Sequence, residues 1–212
     1  MNVNKEKNVI EFYVLCNKLK NVIRTGWKHW EVEKDRLESI AEHIFGVQML
    51  AIAMYSEYQY DINIMKVIYM LAVHELEEII IGDLTEFEID KTEKLAKGHE
   101  AIGIVLENLM LKEEIESLIL EFDERKTKEA LFAYHCDKLE CDIQCKLYDE
   151  EGCVNLKDKK DKIRSDNKEK LITKIDNNEV SWSDLWLEHD RNKFSKDENF
   201  ISIVDYLKDN NI

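Results

Sequence analysis

The chain has 212 residues, 44% of them hydrophobic and 35% charged, with no proline, six glycines and a formal net charge of −15. This composition fits a soluble globular chain of one domain, or a domain with an appendage, and excludes an intrinsically disordered one. The negative balance argues against a nucleic-acid duplex or an anionic membrane as partner, because phosphate surfaces are bound by basic ones. No apolar run reaches the ~18–20 residues of a transmembrane helix. Residues 1–8 are polar and lack the apolar core of a signal peptide, so a cytoplasmic protein is expected. The five cysteines are an odd count without a secretory signal and do not read as a disulfide framework. Cys141 and Cys145 stand at i, i+4, where small buried helix residues are a better reading than metal ligands.

Few breakers and long 3.6-period runs predict an all-α protein. A first helix is expected over residues 10–23, broken by Arg24-Thr25-Gly26-Trp27. Residues 28–37 are charged with a poor period and read as a loop. Glu38-Ser39 opens a second helix with Ser39 as N-cap, and His43, Val47, Leu50 and Met54 share its inward stripe. Asp61 is expected to cap a third helix over 62–81, ended by Gly82. On it Val67, Leu71, His74 and Glu78 fall at i, i+4, i+7 and i+11, one face that turns ionisable toward its C-terminal end. An acidic loop (83–90) leads to helices over 91–110, 113–122 and 127–148. On the last, Asp137 interrupts a face made of Ala130, Tyr134, Cys141 and Gln144. Residues 155–178, rich in Lys, Asp and Asn, read as a solvated helix or arm. Ser181 starts a helix with an aromatic face (Trp182, Leu185, Trp186, His189), and Phe200, Ile203, Val204 and Leu207 mark a final amphipathic helix. The expected organisation is a domain over 1–152 and a helical extension over 153–212 that docks on the same domain or on a second subunit.

Buried ionisable groups are costly unless paired or bound to a metal. His43, His74, Glu75 and Asp137 are therefore candidate metal ligands. Two imidazoles and two carboxylates suit one divalent ion such as Mn, Co, Fe, Ni or Zn, with Mg possible. His74-Glu75-Leu76-Glu77-Glu78 opens like the zinc-protease pattern H-E-x-x-H but has glutamate at the fifth position. The paired Glu-x-x-His motifs of a di-iron bundle are also missing, since residue 71 is leucine.

Five motifs in order, Arg24-Thr25-Gly26-Trp27, Glu38-Ser39-Ile40-Ala41-Glu42-His43, His74-Glu75-x-x-Glu78, Gly82-Asp83-Leu84-Thr85 and Asp137-Lys138-Leu139-Glu140, resemble the HD-domain metal phosphohydrolases. Within that family the chain is most similar to the bacterial and eukaryotic 5′-deoxynucleotidases, over residues 15–150. The resemblance implies a helical HD-domain bundle, a homodimer, and hydrolysis of deoxynucleoside 5′-monophosphates to nucleoside and phosphate. It implies metal ligation by His43, His74, Glu75 and Asp137, and a proton-transfer role for Glu78. It implies sugar contact or assistance to proton transfer by Asp83, phosphate binding by Arg24, and a pocket-lining place for Trp27. The chain departs from the family's His-Asp dyad, carrying His74-Glu75, whose carboxylate reaches about 1.5 Å further. Two other readings compete. One is a phosphohydrolase of the same scaffold acting on a triphosphate, an alarmone or a cyclic dinucleotide. The other is a catalytically degenerate module that binds a nucleotide or a partner through its Trp182/Trp186 face.

Overall fold

The computed structural model describes residues 4–85, 88–164 and 167–212. Expectations for residues 1–3, for Glu86 and Phe87 of the acidic loop, and for Ser165 and Asp166 of the basic arm fall outside it. Among the described residues the regular structure is helical: α1 (Lys5–Cys16), α2 (Thr25–His29), α3 (Ile40–Tyr58), α4 (Ile64–Val73), α5 (Glu78–Ile81), α6 (Lys91–Val105), α7 (Lys112–Glu124), α8 (Lys128–Glu150), α9 (Lys168–Asp176), α10 (Trp182–Arg191) and α11 (Glu198–Asp209). Short 3-10 segments cover Asn17–Asn21, Leu156–Lys162 and Asn192–Phe194. The chain is all-α, as its composition predicts.

Local signals explain the helix starts. Ser39 accepts the Glu42 N–H while the Glu42 carboxylate takes the Ser39 N–H, a capping box that begins α3. Ser181 and Asp184 repeat the device at α10. Asn63, not Asp61, caps the third helix, its Oδ1 accepting the Lys66 N–H. Asp61 is instead bound to Lys128.

The structure corrects several expected boundaries. The first helix starts at Lys5 and gives way to a 3-10 segment after Cys16. Residues 25–29, expected as breaker and loop, form the short helix α2. The expected third helix is two helices: α4 ends at Val73, and α5 begins only at Glu78. Between them the hydrogen bonds tighten to i+3, from Leu76 N–H to the Val73 carbonyl and from Glu78 N–H to the Glu75 carbonyl. Gly82 ends α5 at φ +72°, a conformation that favours glycine. The arm over 155–178 is a 3-10 segment followed by the amphipathic helix α9, whose Ile175 is buried.

The chain forms two compact units, Met1–Gly26 with Glu38–Cys136, and Trp27–Leu37 with Asp137–Ile212. The core of the first unit gathers Leu19, Ile40, Val73, Leu76, Ile102, Val105, Leu106, Ile115 and Ile119. In the second, Cys145 and Tyr148 of α8 share a core with Trp27, Val32 and Trp182, which draws residues 137–152 to the C-terminal helices. No helix of the described residues is long and apolar enough to cross a membrane.

Candidate metal centre

The first unit places His43 by its cap. Because α3 starts at Ile40, His43 lies in the first turn and on the stripe Ile40, His43, Val47, Ala51 and Met54, all buried. Its side chain is completely enclosed. His74 stands at the end of α4, where its Nδ1 is 2.8 Å from the Leu71 carbonyl. That contact makes Nδ1 the protonated nitrogen and leaves Nε2 as the basic one, the usual arrangement for an imidazole that ligates through Nε2. The two rings are 5.7 Å apart between centroids.

Glu75 closes the arrangement. Its Oε1 lies 3.6 Å from His74 Nε2, 3.8 Å from His43 Nε2 and 3.7 Å from Arg24 Nη1. These separations are too long for hydrogen bonds. The two from the imidazoles match ligands that would each stand ~2.1 Å from one shared ion, and so ~3–4 Å from one another. The extra methylene of glutamate is thus accommodated: the carboxylate reaches both imidazoles. Asp137 follows Cys136, the last residue of the first unit, in helix α8. One ligand-type atom from each of His43, His74, Glu75 and Asp137 lies within 4.8 Å of the others. Asp137 is buried and paired with Lys138 Nζ at 2.9 Å. Borderline nitrogen and hard oxygen donors in one pocket fit a first-row divalent ion.

Glu78 opens α5 beside this cluster with its side chain 1% exposed. Burial raises its carboxyl well above the ordinary range, and the neighbouring Glu75 and Asp83 add to the rise, while Arg24 and Lys94 oppose it. Glu77 is half-buried, with its Oε2 enclosed, and is pushed up to about 8 by burial and by Glu75. Asp83 follows Gly82, and its Oδ2 accepts the Thr25 N–H at 2.6 Å. Arg24 is fixed on the other side by its own N–H, which donates to the Glu38 carbonyl, and by the antiparallel bridge between Ile23 and Ser39. The segment 23–25 is therefore held between the start of α3 and the turn after Gly82.

Trp27 packs within the second unit. Its side chain is 1% exposed in the core of the second unit, edge-on to Tyr148 and Trp182 and tilted against Trp186. Trp182 is buried in the same cluster with Leu185 and Trp186 packed against it, whereas His189, expected on that face, is exposed. Sequence periodicity missed two further groups. Lys94 of α6 lies 3.8 Å from Glu78 Oε1 and donates to the Leu84 carbonyl at 2.6 Å, although its position reads as a solvated helix charge. On α8, Glu140, Asp142 and Lys146 are buried besides Asp137, so this helix hides polar residues on more than one face. A polar residue enclosed all round leaves no mark in a hydropathy pattern.

Comparison with known proteins places this arrangement. The family model described as HD domain matches residues 16–180. The chain is 35% identical over 152 residues to the 5′-deoxynucleotidase HDDC2 of Dictyostelium discoideum, covering 68% of this chain and 79% of that protein. It is 33% identical to the 5′-deoxynucleotidase hdd1 of Schizosaccharomyces pombe, covering 70% and 76%. The crystal structure of the PH0347 protein from Pyrococcus horikoshii OT3 superposes with a TM-score of 0.63 at 25% identity, covering 93% of this chain and 99% of that one.

Proposed function

This chain belongs to the HD-domain family, and on that premise we propose that it is a metal-dependent phosphomonoesterase that hydrolyses deoxynucleoside 5′-monophosphates to nucleoside and phosphate. The observation that carries the reading is the convergence of His43 Nε2, His74 Nε2 and Arg24 Nη1 on one carboxylate oxygen of Glu75, at 3.6–3.8 Å. The names of the curated relatives at 33–35% identity support the substrate class.

In this reading His43, His74, Glu75 and Asp137 hold one divalent ion. Such an ion supplies charge neutralisation of the phosphoryl group and acidifies water near neutral pH. Arg24 binds the substrate phosphate, its backbone held by the bridge between residues 23 and 39 and its guanidinium 3.7 Å from Glu75 Oε1. Glu78 accepts the proton of the attacking water. Its buried carboxyl has a raised proton affinity, from burial and from the neighbouring Glu75 and Asp83, which suits a group that takes up a proton. Asp83 orients the segment that carries Arg24 through the Thr25 N–H, and its second oxygen is assigned to the leaving 5′-oxygen or the sugar. Trp27 contributes by packing, as an anchor for the residues that follow Arg24 and Thr25.

We assign a homodimer to the first unit on its surface. Phe45, Met49 and Ile52 form an exposed stripe on α3, and Met65 and Tyr69 a second on α4, at 38–74% exposure. Contiguous apolar helix faces of this kind are interaction surfaces more often than solvent surfaces.

The test is phosphate release from deoxy and ribo 5′-monophosphates by chelated protein resupplied with Mn, Co, Mg or Zn in turn. Metal-dependent release with deoxy favoured over ribo is expected. Glu78→Gln should lower turnover at least ~100-fold while the metal content stays unchanged. Absence of release with every metal from folded protein would remove the reading.

A further inference from the structure

Helix α6 supplies none of the residues assigned above to metal, phosphate or proton transfer. It nevertheless reaches the site through one side chain. Lys94 Nζ donates a hydrogen bond to the Leu84 carbonyl at 2.6 Å and stands 3.8 Å from Glu78 Oε1. Leu84 is the residue after Asp83, in the turn that Gly82 begins. A single ammonium therefore touches both the Glu78 carboxylate and the backbone of the segment that presents Asp83.

The surroundings make this contact more than a surface pair. Glu78 is buried, its Oε2 makes no hydrogen bond, and its anionic neighbours are Glu75 and Asp83. A carboxylate in that position is repelled from two sides, and its rotamer is set by whichever cation faces it. Arg24 faces the Glu75 side at 3.7 Å. Lys94 faces Glu78 from the opposite helix, and the short bond to the Leu84 carbonyl fixes where its charge sits. Lys97, one turn further along α6, only pairs with Glu93 of its own helix and is half-exposed. A displacement of ~1 Å at a reacting group costs ~100-fold in rate.

We propose that Lys94 is a positioning residue that holds the Glu78 carboxylate and the Asp83-bearing turn in their working places. The inference rests on the reading of Glu78 and Asp83 as proton-transfer groups. It assigns no substrate contact to Lys94; the residue acts through Glu78 and through the turn.

The experiment compares Lys94→Met and Lys94→Arg, each alone and combined with Glu78→Gln, by steady-state kinetics on a deoxynucleoside monophosphate and by amide hydrogen exchange of residues 82–85. Lys94→Met should lower kcat about tenfold or more with KM changed less than about twofold. Lys94→Arg should recover most of that loss, because a guanidinium can reach both partners. On the Glu78→Gln background the same Lys94→Met change should cost less than about twofold, since a group acting through Glu78 has little left to position. Residues 82–85 should exchange faster in Lys94→Met. An unchanged kcat, a loss that multiplies in full onto Glu78→Gln, or unaltered exchange overturns the proposal. If wild-type protein hydrolyses no monophosphate, the phosphomonoesterase reading falls, and the exchange of residues 82–85 alone then decides whether Lys94 clamps the turn.

Discussion

Replacing Asp142 with asparagine should flatten the pH dependence of stability between pH 6 and 7.5. In the second unit, Asp149 Oδ2 of α8 accepts both the N–H and the hydroxyl of Ser183 at the start of α10, at 2.8 and 2.7 Å. Seven residues back along α8 and seven on along α10, two helical turns in each case, stand Asp142 and Asp190. Asp142 is fully buried, and neither of its oxygens has a hydrogen-bond partner. Asp190 is bound by Lys193 Nζ at 2.6 Å and lies 3.7 Å from His189 Nε2. Burial, reinforced by Asp190 and opposed by Lys193 and Lys138, pushes the Asp142 carboxyl from 3.8 up to about 8. The folded protein thus keeps this proton up to about pH 8, whereas the unfolded chain releases it near 3.8. The unfolded state binds fewer protons across that window, so stability falls as pH rises, by ~1.4 kcal/mol per pH unit. Between pH 6.0 and 7.5 the loss is ~2 kcal/mol, or roughly 4–8 °C in Tm for a chain of this size. Asparagine keeps the shape and stays neutral, so its contribution to the slope vanishes. Glu77 and Glu78 are raised too and contribute slopes of the same sign. They are common to both proteins, so the difference between wild type and variant isolates Asp142. The assay is urea unfolding at pH 6.0, 6.75 and 7.5. Parallel curves within ~0.5 kcal/mol would refute the reasoning, because they would mean that Asp142 is ionised throughout.

Shortening Glu75 to aspartate withdraws its carboxylate by about 1.5 Å from both imidazoles; metal affinity, read by chelator competition, should fall at least about tenfold, and a gain in affinity would contradict the placement of Glu75 Oε1. Arg24→Met should raise KM for monophosphates by roughly 10–100-fold, the scale of one lost charged hydrogen bond, with metal content unchanged; a wild-type KM would remove Arg24 from phosphate binding. Phe45→Glu, on the exposed stripe of α3, should yield monomers by light scattering coupled to gel filtration; a retained dimer would place the interface elsewhere. Ser39→Ala removes the capping box of α3 and should cost ~1 kcal/mol in unfolding free energy, together with weaker metal binding through His43; intact stability would show that the cap is redundant.

The parts of this protein that were legible in the sequence are those set by local physics. Ser39 announces the start of α3, and that start alone puts His43 in the first turn on the same stripe as Val47 and Met54. Ser181 does the same for α10. A side-chain oxygen three residues from an amide it can reach needs no tertiary structure to choose its partner. The all-α class follows equally from an apolar period repeated along the chain with few breakers. His74 and Glu75 were recognisable because ionisable residues on an apolar run demand a partner.

What the sequence left open is whatever depends on distant segments meeting. A continuous helix through 62–81 is the natural reading of its period, yet the chain tightens to i+3 hydrogen bonds at residues 74–77, just before the buried Glu78. Trp27 stands three residues after Arg24, and its indole packs in the core built by Tyr148, Trp182 and Trp186, because so large an apolar surface gains most where other aromatics close around it. For Lys94 and Asp142, only packing decides that one stands near Glu78 and the other feels the charge of Asp190. The sequence by itself determined the class, the helix starts and the kinds of ligand available. The tertiary structure alone decided which charges are buried together, because electrostatic coupling depends on distance in space, and hydropathy periodicity carries no information about it.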